Sequence, residues 1–317
     1  MTQTGERILA TVKGNVSLSA FDAISGERLA SVPVGTAGVS KPHEIAITSD
    51  GSHAFVSLYG DKDYGPNAPD NRLAVVDLTR MKLVGHVDLG LYSGPHALMT
   101  DPDGMIWVTV DANRCVLVLD PATREIEHTI HLGVPGHFLA ATSDGGTVYF
   151  SAKEYPFICE VDVVSREMRA RIPLPVGAQA IRVSHDDQRL YVGHLNRPLL
   201  HVVDRVTRQG VETVPLTAVP GWPFVTPDGA LVLVTTHDAP ADRGFVELLD
   251  AGDLTRRTAV EVPGEPFHAL PMHDGEHVLV ALASGEIVKI HLGRAELVPG
   301  GFHAGNEMPE MLLHLRD

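Results

Sequence analysis

Short runs of branched apolar residues alternate with polar turns along the whole chain, and each run has the length of a β-strand. The clearest copy of the repeating unit begins at Lys41-Pro42-His43 and leads through an apolar run to the turn Asp50-Gly51. Seven copies can be aligned, and they begin at Lys41, Gly94, Pro135, Gly177, Pro220, Glu265 and Met308. Most copies are spaced by about 42 residues, which is typical of a repeat that contributes one blade to a β array.

Each copy contains four segments with the pattern of β-strands. In the clearest copy they cover residues 44–48, 54–59, 73–78 and 82–89. Many of these segments are apolar on both faces, which suits a sheet packed between two neighbouring sheets. The pattern therefore predicts an all-β protein, with a single domain over residues 1–317 that forms a seven-bladed β-propeller of four-stranded blades.

The two ends of the sequence complement each other. Strands predicted at 8–12, 16–21 and 28–34 form a first blade that lacks its innermost strand, whereas the C-terminal segment 311–315 is a strand without a blade. Pairing the two ends removes a free sheet edge. We therefore expect the propeller to be closed by pairing of the C-terminal strand with the N-terminal blade.

Composition and charge exclude several kinds of partner. Lys and Arg total 25 against 40 Asp and Glu, which gives a net charge of −15 and argues against nucleic acid. No apolar run is long enough to cross a bilayer, and the N-terminus does not resemble a signal sequence. We expect a cytoplasmic protein with a small-molecule partner and no membrane contact, and Cys115 and Cys159 as buried free thiols. The oligomeric state stays open.

Histidine returns at one position of the repeat, the start of the innermost strand of each blade. Since 17 of 317 residues are histidine, seven such positions should hold fewer than one by chance. Aligned by the repeat, the seven positions carry Glu310, His43, His96, His137, Gln179, Trp222 and His268. In the sixth copy, which begins at Glu265, an alignment without a dropped residue places Phe267 there instead of His268.

Imidazoles from several blades that meet at the mouth of a central channel are suited to bind a divalent metal ion. The predicted ligands are His43, His96, His137, His268 and Glu310, with Glu310 either a ligand or the acceptor of a hydrogen bond from one. Iron, copper, zinc and magnesium all remain possible as the ion. Two other interpretations stay open: the histidines cap strand ends through hydrogen bonds, or they perform acid–base chemistry without a metal.

Further polar residues fall at the ends of the second strands, on the same face. They are Tyr59, Asp111, Lys153, His194 and His237. The loop before the last strand adds His303 and Glu307. The residues predicted to move protons during catalysis are His194, His237, His303 and Glu307.

Several motifs are similar to known repeats. An Asp-Gly turn, a strand such as Leu190-Tyr191-Val192-Gly193 and a Val-Val-Asp closure together resemble the YVTN-type β-propeller repeat. The starts Pro42-His43 and Pro95-His96 are similar to those of the seven-bladed virginiamycin B lyase group. That resemblance implies a metal-assisted elimination, in which a histidine removes a proton while the ion polarises a carbonyl. The catalytic motif of the group does not map residue by residue onto this chain.

A second similarity concerns only the geometry of the predicted site. Four inner-strand histidines in a seven-bladed propeller resemble the iron centre of carotenoid cleavage oxygenases, although the motifs around that centre are missing here. The sequence thus predicts a metal-dependent lyase or hydrolase that eliminates from, or opens, a lactone or ester of natural-product type. The alternatives are an iron- or copper-dependent oxidoreductase or oxygenase, and a non-catalytic binding scaffold.

Overall fold

The protein is a seven-bladed β-propeller. A computed structural model describes residues 6–62, 65, 67–306 and 308–315, and these residues form strands and turns without any helix. Twenty-eight strands make seven four-stranded antiparallel sheets, the blades. No helix that could cross a bilayer therefore exists in the described part of the chain. The predicted fold class is confirmed.

The strands follow one another through the blades in chain order, apart from the last strand. Blade 1 consists of β1 (Arg7–Val12), β2 (Ser17–Asp22), β3 (Arg28–Pro33) and β28 (Pro309–Leu315). Blade 2 consists of β4 (Pro42–Ile47), β5 (His53–Gly60), β6 (Pro69–Asp77) and β7 (Lys82–Asp88). Blade 3 consists of β8 (Pro95–Thr100), β9 (Ile106–Val110), β10 (Cys115–Leu119) and β11 (Ile126–His131).

The other four blades repeat this order. Blade 4 consists of β12 (Leu139–Ala141), β13 (Thr147–Ser151), β14 (Phe157–Asp162) and β15 (Glu167–Pro173). Blade 5 consists of β16 (Ala178–Val183), β17 (Arg189–His194), β18 (Leu199–Asp204) and β19 (Gln209–Pro215). Blade 6 consists of β20 (Val219–Val225), β21 (Leu231–Asp238), β22 (Arg243–Asp250) and β23 (Arg256–Val262). Blade 7 consists of β24 (Pro266–Pro271), β25 (His277–Leu282), β26 (Glu286–His291) and β27 (Glu296–His303).

Blade 1 is built from both ends of the chain, as the sequence predicts. Strand β28 pairs antiparallel with β1, with Leu9 opposite Leu313 and Ala10 opposite Leu312. Leu9, Ala10 and Leu312 are fully buried. The pairing therefore satisfies the backbone groups of β1 and also buries apolar side chains.

The chain divides into two compact units. Unit 1 comprises Met1–Pro135, Ser284–Ile287 and Gly300–Asp317, and so contains blades 1 to 3. Unit 2 comprises Gly136–Ala283 and Val288–Pro299, and so contains blades 4 to 6 and most of blade 7. Each unit has its own clusters of buried branched apolar side chains from successive strands.

Two hairpins are longer than the pattern predicts. Strands β5 and β6 continue into the insertion at 60–71, where Gly60 pairs with Pro69. Strands β21 and β22 continue in the same way, with Asp238 opposite Arg243. The additional pairs satisfy backbone N–H and C=O groups that would otherwise bond to water. Pairing therefore continues into residues that are polar and that the apolar pattern does not include.

The two cysteines are free and buried, as predicted. Burial raises the pKa of each thiol to about 11, with the Arg171 charge opposing the rise at Cys159. Since the thiolate is the reactive form, both side chains act as small apolar groups.

Candidate functional site

A β-bulge recurs at the start of the innermost strands. In blade 2, Pro42 pairs with Leu58 and Ile45 pairs with Val56, so three steps along β4 match two steps along β5. The same irregularity follows the first pair in blades 1, 3, 5 and 7 and the second pair in blade 6. We call the first residue inside the bulge, His43 in blade 2, the entry position. The bulge adds one residue to the innermost strand, so an alignment based on the apolar pattern alone can place the entry position one residue away.

A hydroxyl group on the second strand fixes the bulge and links it to the next blade. Ser57 Oγ accepts a hydrogen bond from the Glu44 N–H at 3.0 Å and donates one to the His96 carbonyl at 2.6 Å. Thr11 likewise accepts from the Met311 N–H at 3.1 Å and donates to the His43 carbonyl at 2.7 Å.

The same device operates in unit 2. Thr235 Oγ1 accepts from the Trp222 N–H at 2.9 Å and donates to the Phe267 carbonyl at 3.2 Å. In blade 4, Ser151 Oγ accepts from the Phe138 N–H at 3.0 Å. Each hydroxyl therefore marks an entry residue in its own blade, the residue before the N–H that it accepts from. Where it also donates to a carbonyl, that carbonyl belongs to the entry residue of the next blade.

This register corrects two sequence assignments. In chain order around the repeat, the entry residues are Glu310, His43, His96, His137, Gln179, Gly221 and Phe267. Trp222 and His268 lie one residue further along their strands, so the alignment that placed them at the entry position is wrong. Gly221 and Phe267 lie seven residues before the turn residues Asp228 and Asp274, the same spacing that separates His43 from Asp50.

His268 belongs to an aromatic cluster in unit 2. Its ring lies 4.7 Å from that of Phe224 and 5.1 Å from that of Trp222, both in edge-to-face contact. Burial, helped by the positive charge of Arg182, lowers the pKa of His268 to about 3. The ring is therefore neutral near pH 7, and its Nδ1 makes no hydrogen bond to the described residues.

In unit 1, the entry residues His43 and His96 contact each other. Their ring centroids are 4.8 Å apart, and Tyr59 lies 4.7 Å from His43 and 5.2 Å from His96. All three side chains are almost completely buried. The Tyr59 hydroxyl donates a hydrogen bond to Asp111 Oδ2 at 2.9 Å. Four of the polar residues singled out in the sequence thus form one cluster.

Hydrogen bonds to carbonyl groups fix the tautomers of two entry histidines. His43 Nδ1 lies 3.1 Å from the Lys41 carbonyl, and His137 Nδ1, in unit 2, lies 2.9 Å from the Gln179 carbonyl. A carbonyl only accepts, so Nδ1 carries the proton in each ring. The lone pair of the neutral ring is then on Nε2, as in histidines that bind metal ions.

Glu310 forms a buried ion pair with Lys13, and both side chains are almost inaccessible to solvent. Lys13 was not identified in the sequence as a site residue. It directly follows β1, the second strand of blade 1, at the position that Tyr59 occupies in blade 2, and aligning Thr11 with Ser57 would have found it. The Lys13 ammonium balances the carboxylate charge, so a metal ion at Glu310 would compete with this pair.

His194 does not occupy the position of Tyr59. It pairs with Ala178 as Leu58 pairs with Pro42, so it lies one residue before that position. It is buried, its Nδ1 accepts a hydrogen bond from the Asn196 N–H at 3.2 Å, and its ring lies 5.2 Å from that of His201. Burial lowers the pKa of His194, with the charges of His201 and Arg197 as smaller contributions. The matching residue in blade 5 is Leu195.

The other predicted proton carriers are scattered. His237, in unit 2, lies at the position that matches Tyr59 and lines a cavity. His303 ends β27 and is exposed. Glu307 lies outside the described residues. Lys153, in unit 2, matches Tyr59 in register as predicted.

A cluster of three metal ligands is not preformed around the histidine pair of unit 1. Within the described part of that unit, no third His, Cys, Asp or Glu places a ligand atom within 4.8 Å of those of both His43 and His96. An ion held by the pair would take its remaining ligands from water or substrate. The larger ligand set, with His137, His268 and Glu310, stays a prediction.

Each unit contains a cavity, and that of unit 1 is lined by Tyr59 and Asp111 of the cluster but by neither His43 nor His96. In unit 1, a cavity of about 280 Å³ is lined by Tyr59, Gly94, Asp111 and their neighbours. In unit 2, a cavity of about 590 Å³ is lined by the entry residues Gln179, Gly221 and Phe267 and by side chains around them. The second volume is within the range of about 300–1,000 Å³ of small-molecule sites.

Comparisons with known proteins identify the fold. Hydrazine synthase from Kuenenia stuttgartiensis superposes with a TM-score of 0.67 and 19% identity, over 80% of this chain and 78% of that one. The dihydro-heme d1 dehydrogenase NirN, in complex with DHE, gives a TM-score of 0.69 and 14% identity, over 98% of this chain and 75% of that one. No family model and no curated protein matches the sequence, so the two resemblances seen in its motifs gain no support.

Proposed function

We propose that the protein is an enzyme that acts on a small molecule in unit 1, with a divalent metal ion held by His43 and His96. The observation that carries this proposal is the buried contact of the two rings with Tyr59, whose hydroxyl bonds to Asp111. Buried titratable groups in mutual contact beside a cavity are typical of active sites.

The donor set fits a metal ion. The Lys41 carbonyl holds the Nδ1 proton of His43, which keeps the ring in the tautomer with the Nε2 lone pair. Imidazole nitrogens suit zinc, iron and copper. When bound, such an ion would polarise a substrate carbonyl or lower the pKa of a water molecule.

Tyr59 and Asp111 are the groups that handle protons in this proposal. Both line the cavity, and Tyr59 also contacts the two histidines. The Tyr59 hydroxyl donates its proton to Asp111 at 2.9 Å, so Tyr59 would act as a base: its oxygen takes a proton from the substrate while its own proton passes to the Asp111 carboxylate. In an elimination, the electron pair of the broken C–H bond forms the double bond and the carboxylate leaves with its own electron pair; in a ring opening, the proton comes from the attacking water.

A metal-dependent oxidoreductase is the second candidate. It is favoured by the all-nitrogen pair His43 and His96, since imidazole is also a common ligand of iron and copper. The activities named for the two similar structures are not carried over, because 14–19% identity supports only the fold. The identity of the bound metal distinguishes the two candidates.

Metal analysis tests the proposal. We expect protein purified without chelators to retain metal, and the double variant His43→Ala/His96→Ala to lose at least about 90% of it, because both protein ligands are removed. His128→Ala, which removes an exposed histidine on β11, is the matched control. Circular dichroism checks that each variant is folded. Equal metal content in the folded double variant would contradict the proposal.

Turnover separates the reaction classes. The metal-loaded protein is incubated with a panel of lactones and esters, and products are followed by mass spectrometry. Tyr59→Phe should lower kcat about 10- to 100-fold while metal content is unchanged, because only the group that accepts the substrate proton is lost. Iron or copper with a visible absorbance, and no turnover of the panel, would favour the oxidoreductase.

A further inference from the structure

A glycine at an entry position lines the cavity of unit 2. Gly221 occupies the entry position of blade 6, where blades 2, 3 and 4 carry histidine. A Cβ atom at Gly221 would lie 2.9 Å from Thr235 Oγ1, the hydroxyl that fixes the bulge, so a larger residue does not fit without a shift. The cavity beside this glycine has a volume of about 590 Å³.

Aromatic rings form the apolar part of this cavity. Trp222 and Phe267 both line it, with ring centroids 6.5 Å apart and planes inclined at 53°. Prolines add rigid apolar surface, and they are Pro198, Pro220, Pro240 and Pro266. These rigid side chains lose little conformational entropy when a ligand binds, so the wall is already organised for an apolar group.

The charged part of the lining is acidic. Asp238 and Glu265 contribute carboxylates, and the described lining residues include no Lys or Arg. His237 lies between acidic groups, with Nε2 3.4 Å from Asp242 and Nδ1 3.9 Å from Glu265. Its Nε2 is buried and makes no hydrogen bond to the described residues.

Arg243 and Arg256 lie near the cavity, but neither is among its described lining residues. Arg243 makes two hydrogen bonds to Glu261, at 2.9 and 2.7 Å, and its charge also acts on Asp238. Arg256 donates to Thr217 Oγ1, in the lining, at 2.9 Å and lies 3.4 Å from the buried carboxylate of Glu247. The lining therefore combines an aromatic wall with two carboxylates and, among its described residues, no Lys or Arg.

We propose that this cavity binds a small organic amine in its protonated form. The ammonium group would pair with Glu265 and Asp238, while the apolar body packs against Trp222 and Phe267. An ammonium near an aromatic face gains further electrostatic attraction. This site uses no residue of the proposed metal centre, so either proposal can fail without the other.

The probe is 2-phenylethylamine, with 2-phenylethanol and 3-phenylpropionate as neutral and anionic analogues of similar shape. We expect calorimetric titration to give saturable binding of the amine, at least fivefold tighter than the alcohol, and no measurable binding of the acid. Quenching of Trp222 fluorescence locates the site, because the other tryptophan, Trp107, is fully buried in unit 1 and bonded to Asp101.

Charge-removing variants test the contacts. Asp238→Asn/Glu265→Gln should weaken amine binding at least fivefold and leave the alcohol unchanged, whereas Glu212→Gln, an exposed site on β19, should change neither. Failure of the amine to saturate, equal affinity for the alcohol or the acid, or an unaltered affinity in the double variant would overturn the proposal.

Discussion

Phe267 and His268 are adjacent in the chain but lie in different environments. Phe267 lines the cavity of unit 2, whereas His268 packs among aromatic rings as a neutral, buried imidazole. The pKa of His268, lowered from 6.5 to about 3 mainly by burial, expresses the cost of placing a charge there.

This lowered pKa predicts a pH-dependent stability. Below pH 6.5 the unfolded chain binds a proton at His268 and the folded protein does not. The free energy of unfolding is therefore highest above pH 6.5 and decreases as the pH falls towards 3. His268→Leu should reduce the slope of unfolding free energy against pH by up to about 1.4 kcal/mol per pH unit.

Denaturant unfolding at a series of pH values between 4.5 and 6.5 measures this slope. His128→Leu, at an exposed position on β11, provides the control and should retain the slope of the original protein. An unchanged slope in His268→Leu would mean that the imidazole is protonated in the folded state.

The residue scale also defines the limits of prediction from sequence. His43 and His96 are predictable because each lies seven residues before the Asp of a turn, and Tyr59 and Asp111 because they fall at the ends of second strands; the structure brings all four into one cluster. Lys13, the partner of Glu310, escapes prediction because its strand precedes the first clear copy of the motif, although aligning Thr11 with Ser57 places it at the position of Tyr59. Metal binding itself is not encoded in any spacing and stays a prediction.

At the scale of elements, the bulge and its hydroxyl form one structural unit. The hydroxyl satisfies a backbone N–H that the extra residue removes from the normal ladder, and it joins the strand to the next blade. The apolar pattern alone does not give the register of a bulge, since a shift of one residue gives an equally apolar strand. The turn gives it: counting seven residues back from Asp228, as from Asp50 to His43, selects Gly221 and not Trp222 as the entry residue of blade 6.

Removing one hydroxyl should therefore destabilise the protein. Ser57→Ala deletes the partner of the Glu44 N–H and the His96 carbonyl, both buried, and we expect a loss of about 1–3 kcal/mol in unfolding free energy. Ser57→Thr should restore most of the stability, because Thr fills the same position in blades 1, 3 and 6.

Ser284→Ala, at an exposed turn position, is the control for replacing a serine hydroxyl by hydrogen. Chemical denaturation of the four proteins gives the comparison. Equal stability of Ser57→Ala and Ser57→Thr would show that the hydroxyl has no structural role.

At the scale of the whole molecule, the propeller fold follows from the repeat because every copy has the same four-strand pattern and the spare strand matches the gap in blade 1. The division of the chain into two compact units has no counterpart in the sequence pattern. Packing between strands from different blades decides it, and such packing depends on side-chain fit rather than periodicity.

Ending the chain after Met308 should destabilise unit 1. Without β28, strand β1 becomes an unpaired edge and Leu9 loses its partner Leu313. We expect a decrease of about 10 °C or more in Tm, since several kcal/mol of apolar burial are lost. Differential scanning fluorimetry and size-exclusion chromatography measure the melting temperature and the tendency to associate.

A synthetic peptide of residues 309–317, added to the shortened chain, should recover part of the lost Tm because it can occupy the place of β28. A scrambled peptide of the same composition is the control. An unchanged Tm on shortening would show that β28 contributes nothing to the fold.

The pairing of β28 with β1 also sets an order of events during synthesis. Ribosomes make β1 before every other strand in the described chain, yet its neighbour emerges after all of them. Until β28 has been synthesised, β1 therefore exposes an open hydrogen-bonding edge to other nascent chains. Folding of blade 1 has to wait for β28 to emerge, whereas blades 2 and 3 can form earlier.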